Sequence, residues 1–169
     1  MVVGEQSDDE FKEGIVRDRK SSLLPTLAAA LVLTICAPAM AADKPDTPAT
    51  ASGFAIVTPE EARALIGKAT FYDMRSAINF GKGHIQGAKP LPYGEKSGFT
   101  TDFDASQDKL DLGKLPADKN ATIVFYSDGP KGWKSYKAAV LATRAGYKNV
   151  KWLRAGTEGW QAKGLPFGS

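Results

Sequence analysis

Residues 121–126, which read Ala-Thr-Ile-Val-Phe-Tyr, are the segment that most restricts the fold of this chain. The run is almost continuously apolar and rich in β-branched and aromatic residues, which is typical of a strand. A strand that lacks polar alternation is covered on both faces, as the central strands of parallel sheets are. A loop with two glycines and a proline follows at 127–133, and residues 134–145 have the apolar spacing of a helix. The sequence therefore predicts a buried parallel strand that leads through a short loop into a helix.

Strands and helices alternate along most of the remaining chain. Other strands are predicted at 54–57, 70–73 and 150–153, and other helices at 58–66, 76–80 and just before residue 164. Thr58 and Glu61 form a capping box around Pro59, which marks the start of a helix. Residues 81–94 are predicted to be a loop with one brief strand, and 106–112 a weak helix. This order predicts an α/β fold, in which a mostly parallel sheet carries helices on both faces.

Composition excludes several classes of protein. Hydrophobic residues make up 43% of the chain and charged residues 24%, which fits neither a disordered chain nor a multi-span membrane protein. The net charge of +3 is too small to indicate a nucleic-acid partner. One cysteine, Cys36, and one histidine, His84, provide neither an internal disulfide nor a zinc site, so we expect no metal and no cofactor.

The N-terminal region has the three parts of a secretory signal peptide. A basic patch at 17–20 precedes an apolar run at 23–36, and Ala-Met-Ala at 39–41 provides a small-x-small cleavage site. The apolar run is shorter than the roughly 20 residues that span a bilayer, which disfavours an uncleaved membrane anchor. A lipoprotein modified at Cys36 is disfavoured by the preceding Ile35, because a small residue is expected there.

Three segments follow from this reading. Residues 1–41 are a leader and signal peptide, with cleavage near Ala41; 42–53, rich in Pro, Thr, Ala and Asp, are a flexible linker; and 54–169 are the folded domain. The acidic start of the leader suggests that translation begins near Val16. We expect a periplasmic or secreted protein without stable membrane insertion after cleavage.

Four landmarks in this order resemble the rhodanese-like domain family. Residues 72–75 read Tyr-Asp-Met-Arg, and 83–88 read Gly-His-Ile-Gln-Gly-Ala. The strand, loop and helix at 124–145 are the third landmark. The fourth is Gly-Tyr-Lys-Asn-Val at 146–150, with the glycine-rich segments that follow it. The resemblance covers about 54–167 and implies a three-layer domain with a mostly parallel five-stranded sheet.

The resemblance also implies where the chemistry of the family would lie. Active members begin the loop after the central strand with a cysteine, whose thiolate carries a sulfane sulfur as a persulfide. In this chain Ser127 stands at that position, and Gly132 stands where some exported relatives have a second cysteine. A serine hydroxyl forms no persulfide, and as a nucleophile it needs a neighbouring general base. We therefore expect no confident catalytic residue in the loop.

The loop keeps features that suit a small anion. Gly129 and Gly132 allow backbone N–H groups to converge, and Lys131 and Lys134 add positive charge beside a helix N-terminus. The expected ligand is thiosulfate, sulfate, phosphate or a carboxylate, and the alternative is a merely solvated loop. The predicted binding residues are Ser127, Asp128, Gly129, Pro130, Lys131, Gly132, Trp133 and Lys134.

Residues around the loop are expected to have mainly structural roles. Asp73 and Arg75 are expected to pair and brace the loop rim, and His84 to fix a turn against backbone. For Trp133 two alternatives stay open: the side chain is exposed in the loop, or it is packed against the domain. Trp152 and Trp160 are expected in the core, and Tyr126, which precedes Ser127, is expected to be half buried.

Three classes of function remain open at this stage. The favoured one is an accessory module that binds an anion or a periplasmic protein partner. The alternatives are a thiosulfate sulfurtransferase that works by another route and a different enzyme that uses Ser127 or the loop lysines. A phosphatase is disfavoured, because residues 127–135 contain neither the cysteine nor the arginine that related phosphatases need.

Overall fold

The computed structural model describes residues 44–169, and the predicted leader and signal peptide lie outside them. The strands are β1 (Ala55–Ile56), β2 (Thr70–Asp73), β3 (His84–Ile85), β4 (Lys89–Pro90), β5 (Thr122–Tyr126), β6 (Asn149–Leu153) and β7 (Phe167–Gly168). The α-helices are α1 (Pro59–Arg63), α2 (Ala77–Lys82), α3 (Trp133–Arg144) and α4 (Gly156–Ala162). Over the described part of the chain, no helix is both long and apolar enough to cross a membrane.

Five strands form one parallel sheet in the order β1-β6-β5-β2-β4. All four neighbouring pairs in this sheet are parallel. Strand β5 lies at the centre, where β2 and β6 cover its two edges, so the apolar run in the sequence is explained by its position. The predicted α/β fold with a five-stranded parallel sheet is confirmed.

Strand β5 contributes to a hydrophobic core on each face of the sheet, because successive side chains of a strand point in opposite directions. Ile123 and Phe125 belong to the core beneath α3. Val124 and Tyr126 belong to the core that contains Trp160 of α4. Helices therefore lie on both faces, and the carboxyl end of β5 emerges between two layers.

The helix starts follow the capping signals in the sequence. The Thr58 hydroxyl accepts a hydrogen bond from the Glu61 backbone N–H at 3.2 Å, and Glu61 Oε2 accepts one from the Thr58 N–H at 2.8 Å. The Ser76 hydroxyl caps α2 by accepting from the Asn79 N–H. These local bonds satisfy N–H groups that have no partner inside the helix.

Two segments differ from the expectation. Residues 81–94 contain two brief strands instead of one, and β3 pairs antiparallel with the unpredicted β7. The weak helix at 106–112 is wrong, because two 3₁₀ turns, Ala105–Gln107 and Leu112–Lys114, flank an extended stretch. The Asp104 and Asp111 carboxylates accept hydrogen bonds from nearby backbone N–H groups, and this competes with continuous helix.

The described part of the linker predicted at 42–53 contacts distant residues of the domain. Residues 44–48, here called the N-terminal strap, have no regular secondary structure but are bound to distant parts of the domain. Thr47 is only 3% exposed, and its N–H donates to the Pro130 carbonyl at 2.8 Å. Hydrogen bonds to backbone groups of the strap therefore fix a segment whose polar, proline-containing composition indicated flexibility.

Candidate functional site

The loop 127–132 joins the carboxyl end of β5 to the start of α3. In parallel α/β sheets, ligands bind beyond the carboxyl ends of strands, so this is where a functional site is expected. The loop lies between a strand and a helix as the sequence predicts, and its role as a site stays a prediction.

The Ser127 side chain is enclosed by hydrogen-bonding groups of its own loop and helix. The residue is 1% exposed. Its hydroxyl oxygen lies 3.1 Å from the Gly132 carbonyl oxygen and 3.0 Å from the Ser135 hydroxyl oxygen. The Ser135 hydroxyl donates to the same carbonyl at 2.9 Å and accepts from the Trp152 indole N–H at 3.0 Å. The Ser127 hydroxyl is thus part of a closed network.

Two backbone N–H groups at the end of the loop donate to carbonyls of the loop itself. The Gly132 N–H donates to the Gly129 carbonyl at 2.8 Å, and the Trp133 N–H donates to the Lys131 carbonyl at 3.1 Å. A Cβ on Gly132 would collide with the Ser127 hydroxyl. Gly132 is therefore needed for the close approach of the loop to Ser127. The anion-binding role of the loop stays a prediction.

The first turn of α4 packs against the start of the loop. Backbone N–H groups of Thr157 and Glu158 donate to the carbonyls of Ser127 and Asp128 at 2.9 and 2.8 Å. A Cβ on Gly129 would collide with the Glu158 carboxylate. Glu158, which the sequence did not single out, therefore places negative charge beside the predicted anion site.

The remaining loop residues point in different directions. Lys131 is exposed, whereas Lys134 lies in the first turn of α3 and lines a surface cleft of about 670 Å³ together with Ser76 and Lys109. Trp133 is buried, and its indole N–H donates to the Pro45 carbonyl at 2.8 Å. Of the two alternatives for Trp133, the structure shows packing.

Asp73 and Arg75 form a buried ion pair at the end of β2. Arg75 Nη2 lies 2.7 Å from Asp73 Oδ2 and also donates to the Gly83 carbonyl at 2.6 Å. Burial lowers the pKa of Arg75, but the Asp73 carboxylate outweighs this and holds the pKa above its usual value. The pair ties the end of β2 to the turn at Gly83.

Tyr126 is fully buried, which corrects the expectation that it is half buried. Its hydroxyl accepts a hydrogen bond from the Ile85 backbone N–H at 3.2 Å, because β3 covers this face of the sheet. Burial raises the pKa of Tyr126, and the Asp73 carboxylate raises it further. The phenol is therefore neutral at physiological pH.

His84 is bound away from Ser127. Its Nδ1 lies 3.1 Å from the Phe80 carbonyl oxygen, and its ring stacks on the Phe80 ring at 3.8 Å. Because His84 is the only histidine in the chain, no imidazole serves as a base for Ser127. Residues 44–169 also hold no group of three or more His, Cys, Asp or Glu side chains arranged to bind a metal.

A family model for the rhodanese-like domain matches residues 58–163. The chain belongs to the rhodanese-like domain family. The match includes the loop 127–132. It confirms the rhodanese-like resemblance in the sequence.

Several solved structures are similar to this chain. The BH2092 protein from Bacillus halodurans is 20% identical, with 68% of this chain and 76% of that chain covered and a TM-score of 0.50. The Alr3790 protein from Anabaena sp. is 24% identical, with 66% and 89% covered and a TM-score of 0.48. A thiosulfate sulfurtransferase from Pseudomonas aeruginosa is 21% identical, with 68% of this chain but 20% of that chain covered and a TM-score of 0.47. No curated protein matched the chain.

This rhodanese-like domain also contains a buried lysine that the sequence did not reveal. Lys137 of α3 is fully buried, and its ammonium group lies 3.1 Å from Glu95 Oε1 and 3.6 Å from Asp108 Oδ2. It also donates to the Ser97 hydroxyl at 2.9 Å. Burial raises the pKa of Asp108, but hydrogen bonds from Ser97, Lys96 and Tyr93 outweigh it and lower the pKa to about 2. This network joins α3 to the irregular segment before β5.

Proposed function

We propose that this rhodanese-like domain is an accessory module that binds a protein partner outside the cytoplasm and does not transfer sulfur. The observation that carries the proposal is the state of Ser127, which stands where the family resemblance places the catalytic cysteine. Its hydroxyl is buried and held between the Gly132 carbonyl and the Ser135 hydroxyl.

Chemistry supports the absence of sulfur transfer. A persulfide needs a thiolate, and the chain's one cysteine, Cys36, lies in the predicted signal peptide. Serine would need a general base, and the hydrogen-bond partners of its hydroxyl are a carbonyl and another serine. The sulfurtransferase alternative therefore lacks both a nucleophile and a base in this loop.

Two features support a location outside the cytoplasm. The segment 17–41 has the pattern of a signal peptide, and the rest of the chain contains no cysteine that an oxidising compartment would affect. A small anion such as thiosulfate or sulfate is the second kind of ligand in this proposal. Lys134 and Lys109 in the adjacent cleft are the cations that would attract it, opposed by Asp108 and Asp111, which line the same cleft.

Intact-mass spectrometry after incubation with thiosulfate tests the proposal. Both samples carry Cys36→Ala, and one also carries Ser127→Cys. We expect the mass of the Ser127 protein to stay unchanged, because a hydroxyl accepts no sulfane sulfur. Gain of one sulfur atom by the Ser127 protein would contradict the proposal, and gain by the Ser127→Cys protein alone would support it.

A further inference from the structure

The N-terminal strap is held in a groove made by residues distant from it in sequence. Phe99, Pro130, Trp133 and Arg154 form what we call the strap groove. Lys44 lies over the Phe99 ring at 4.3 Å from its centroid, and the Phe99 and Trp133 rings lie 6.4 Å apart. An aromatic wall of this kind is typical of sites that bind extended proline-containing peptides.

Side chains of the strap groove bind the main chain of the strap. The Trp133 indole N–H donates to the Pro45 carbonyl at 2.8 Å. The Arg154 guanidinium donates to the Thr47 carbonyl at 2.8 Å and to the Pro48 carbonyl at 2.9 Å. Every residue of a peptide carries a carbonyl, so these three bonds recognise backbone shape more than a particular side chain.

The two prolines of the strap suit this mode of binding. Proline has no backbone N–H, so Pro45 and Pro48 leave no donor unsatisfied against the groove. Each proline also fixes its own φ and restricts the residue before it to extended conformations. A segment of this composition therefore loses less conformational freedom on binding.

Position 47 supplies the side-chain specificity. Thr47 is 3% exposed, and its N–H and hydroxyl both donate to the Pro130 carbonyl, at 2.8 and 2.6 Å. Alanine at this position would lose the hydroxyl bond. At the N-terminal end, the Lys44 ammonium contacts Glu95 at 3.0 Å. The Asp46 carboxylate lies 3.8 Å from Arg154 Nη2, but its side chain is 61% exposed, and an exposed ion pair of this kind contributes little, so position 46 is left open in the pattern.

The groove continues beyond the part that the strap fills. Next to it lies a cleft of about 330 Å³ lined by Pro130 and Arg154 together with Ala49, Val57 and Pro59. This space is adjacent to the Pro48 end of the strap, so a longer peptide would have additional surface to contact.

We propose that the strap groove is the docking site for an extended segment of a partner protein with the pattern Lys-Pro-x-Thr-Pro, and that the strap occupies it when the partner is absent. The proposal rests on the proposed function, because it names the chemistry of the protein partner. The strap itself is the argument for this ligand, since its backbone carbonyls and the Lys44 and Thr47 side chains make the contacts that the partner would make.

The strap is expected to compete with the partner, because the strap belongs to the same chain as the groove. A tethered segment acts at an effective concentration in the millimolar range, so a free peptide binds the groove weakly while the strap is intact. Thr47→Ala removes the 2.6 Å hydroxyl bond from the strap and leaves every residue of the groove unchanged. This variant is therefore expected to bind the free peptide more tightly than the natural chain does.

Backbone and indole N–H resonances of the full-length, ¹⁵N-labelled protein distinguish displacement of the strap from changes inside the domain. The chain has three tryptophans. The Trp133 indole binds the strap, whereas those of Trp152 and Trp160 donate to Ser135 and Pro166 inside the domain. The probe is the blocked peptide Lys-Pro-Asp-Thr-Pro. Because the unlabelled peptide repeats the contact of the strap with Trp133, its binding is followed at the backbone N–H of residue 47, which leaves the Pro130 carbonyl when the strap is displaced. We expect this resonance to shift while the Trp152 and Trp160 resonances stay unchanged, with an apparent affinity about 5- to 10-fold higher for Thr47→Ala than for the natural chain.

Matched controls make the result decisive. Thr50→Ala, at an exposed position in the same N-terminal region, is expected to respond like the natural chain. The proposal is overturned if millimolar peptide leaves the backbone N–H of residue 47 unmoved in Thr47→Ala, or if Lys-Ala-Asp-Thr-Ala binds equally well. It is also overturned if Thr47→Ala abolishes a dimer of the natural chain, because the groove would then bind a second copy. Sulfurtransferase activity in the same sample would contradict the proposed function without changing this titration.

Discussion

The hydroxyl oxygens of Ser127 and Ser135 lie 3.0 Å apart, and both residues are about 1% exposed. Ser135 belongs to α3, so the residue at the start of the loop is joined to the helix that follows it. Through the Ser135 hydroxyl the contact extends to the Trp152 indole in β6. The loop is therefore fixed from the carboxyl end of β5 to the neighbouring strand.

Removal of the Ser135 hydroxyl should destabilise the domain. In Ser135→Ala the buried Trp152 indole N–H loses its acceptor, and leaving such a group unsatisfied costs about 1–3 kcal/mol. Urea unfolding is expected to show this loss in the free energy of unfolding. The control is Ser106→Ala, whose hydroxyl bonds an exposed Asp104 carboxylate; an equal loss there would contradict the role of the network.

Gly132 should tolerate no side chain. In Gly132→Ala the new Cβ collides with the Ser127 hydroxyl and with the Gly129 carbonyl, so the loop must shift. Overpacking of this kind costs about 1–3 kcal/mol in the free energy of unfolding. Gly98→Ala is the matched control, because its Cβ would meet only Thr100 Cγ2 at 3.9 Å. Equal stability of the two variants in thermal unfolding would refute the close packing of the loop.

Substitution of Lys137 should destabilise the domain more than substitution of an exposed lysine. Lys137→Met would leave the Glu95 and Asp108 carboxylates without the ammonium group that lies 3.1 and 3.6 Å from them. Removal of one partner from a buried ion pair costs about 3–5 kcal/mol. Lys148→Met, at an exposed position, is expected to change stability by less than about 0.5 kcal/mol. Denaturant unfolding that ranks both variants alike would contradict the burial of Lys137.

Acid should remove the stabilisation that comes from Asp108. Its pKa is about 2 in the folded protein against an ordinary value of 3.8, so the ionised carboxylate favours folding. The contribution of about 2 kcal/mol is complete above pH 4 and is lost as the pH falls from 4 towards 2. The stability difference between the natural chain and Asp108→Asn should therefore shrink over this interval in urea unfolding. A difference that is constant with pH would show that Asp108 has no depressed pKa.

Local patterns in the sequence were sufficient for the framework of the domain. The apolar run at 121–126 predicted β5 because continuous burial leaves a continuous hydrophobic signature. Thr58 and Glu61 predicted the start of α1 because a capping box involves residues only three positions apart. The position of the candidate loop followed from these elements, since it lies between β5 and α3.

Features that depend on distant residues were not predictable in this way. The strap has a polar, proline-containing sequence, and its binding depends on Trp133 and Arg154, which lie more than 80 residues away. Lys137 is polar in an amphipathic helix, and its partners come from an irregular segment without periodicity. Ser135 and Glu158 contact the loop because α3 and α4 approach it in the folded domain. The sequence carries no short-range signal for that approach.

The most direct test of the central claim is the rate at which the purified natural chain forms thiocyanate from thiosulfate and cyanide, measured beside Ser127→Ala. Because the Ser127 hydroxyl is enclosed and forms no persulfide, we predict that both proteins give the rate of the reaction without protein. Turnover by the natural chain that is lost in Ser127→Ala would contradict the account and would make the protein a sulfurtransferase that depends on serine.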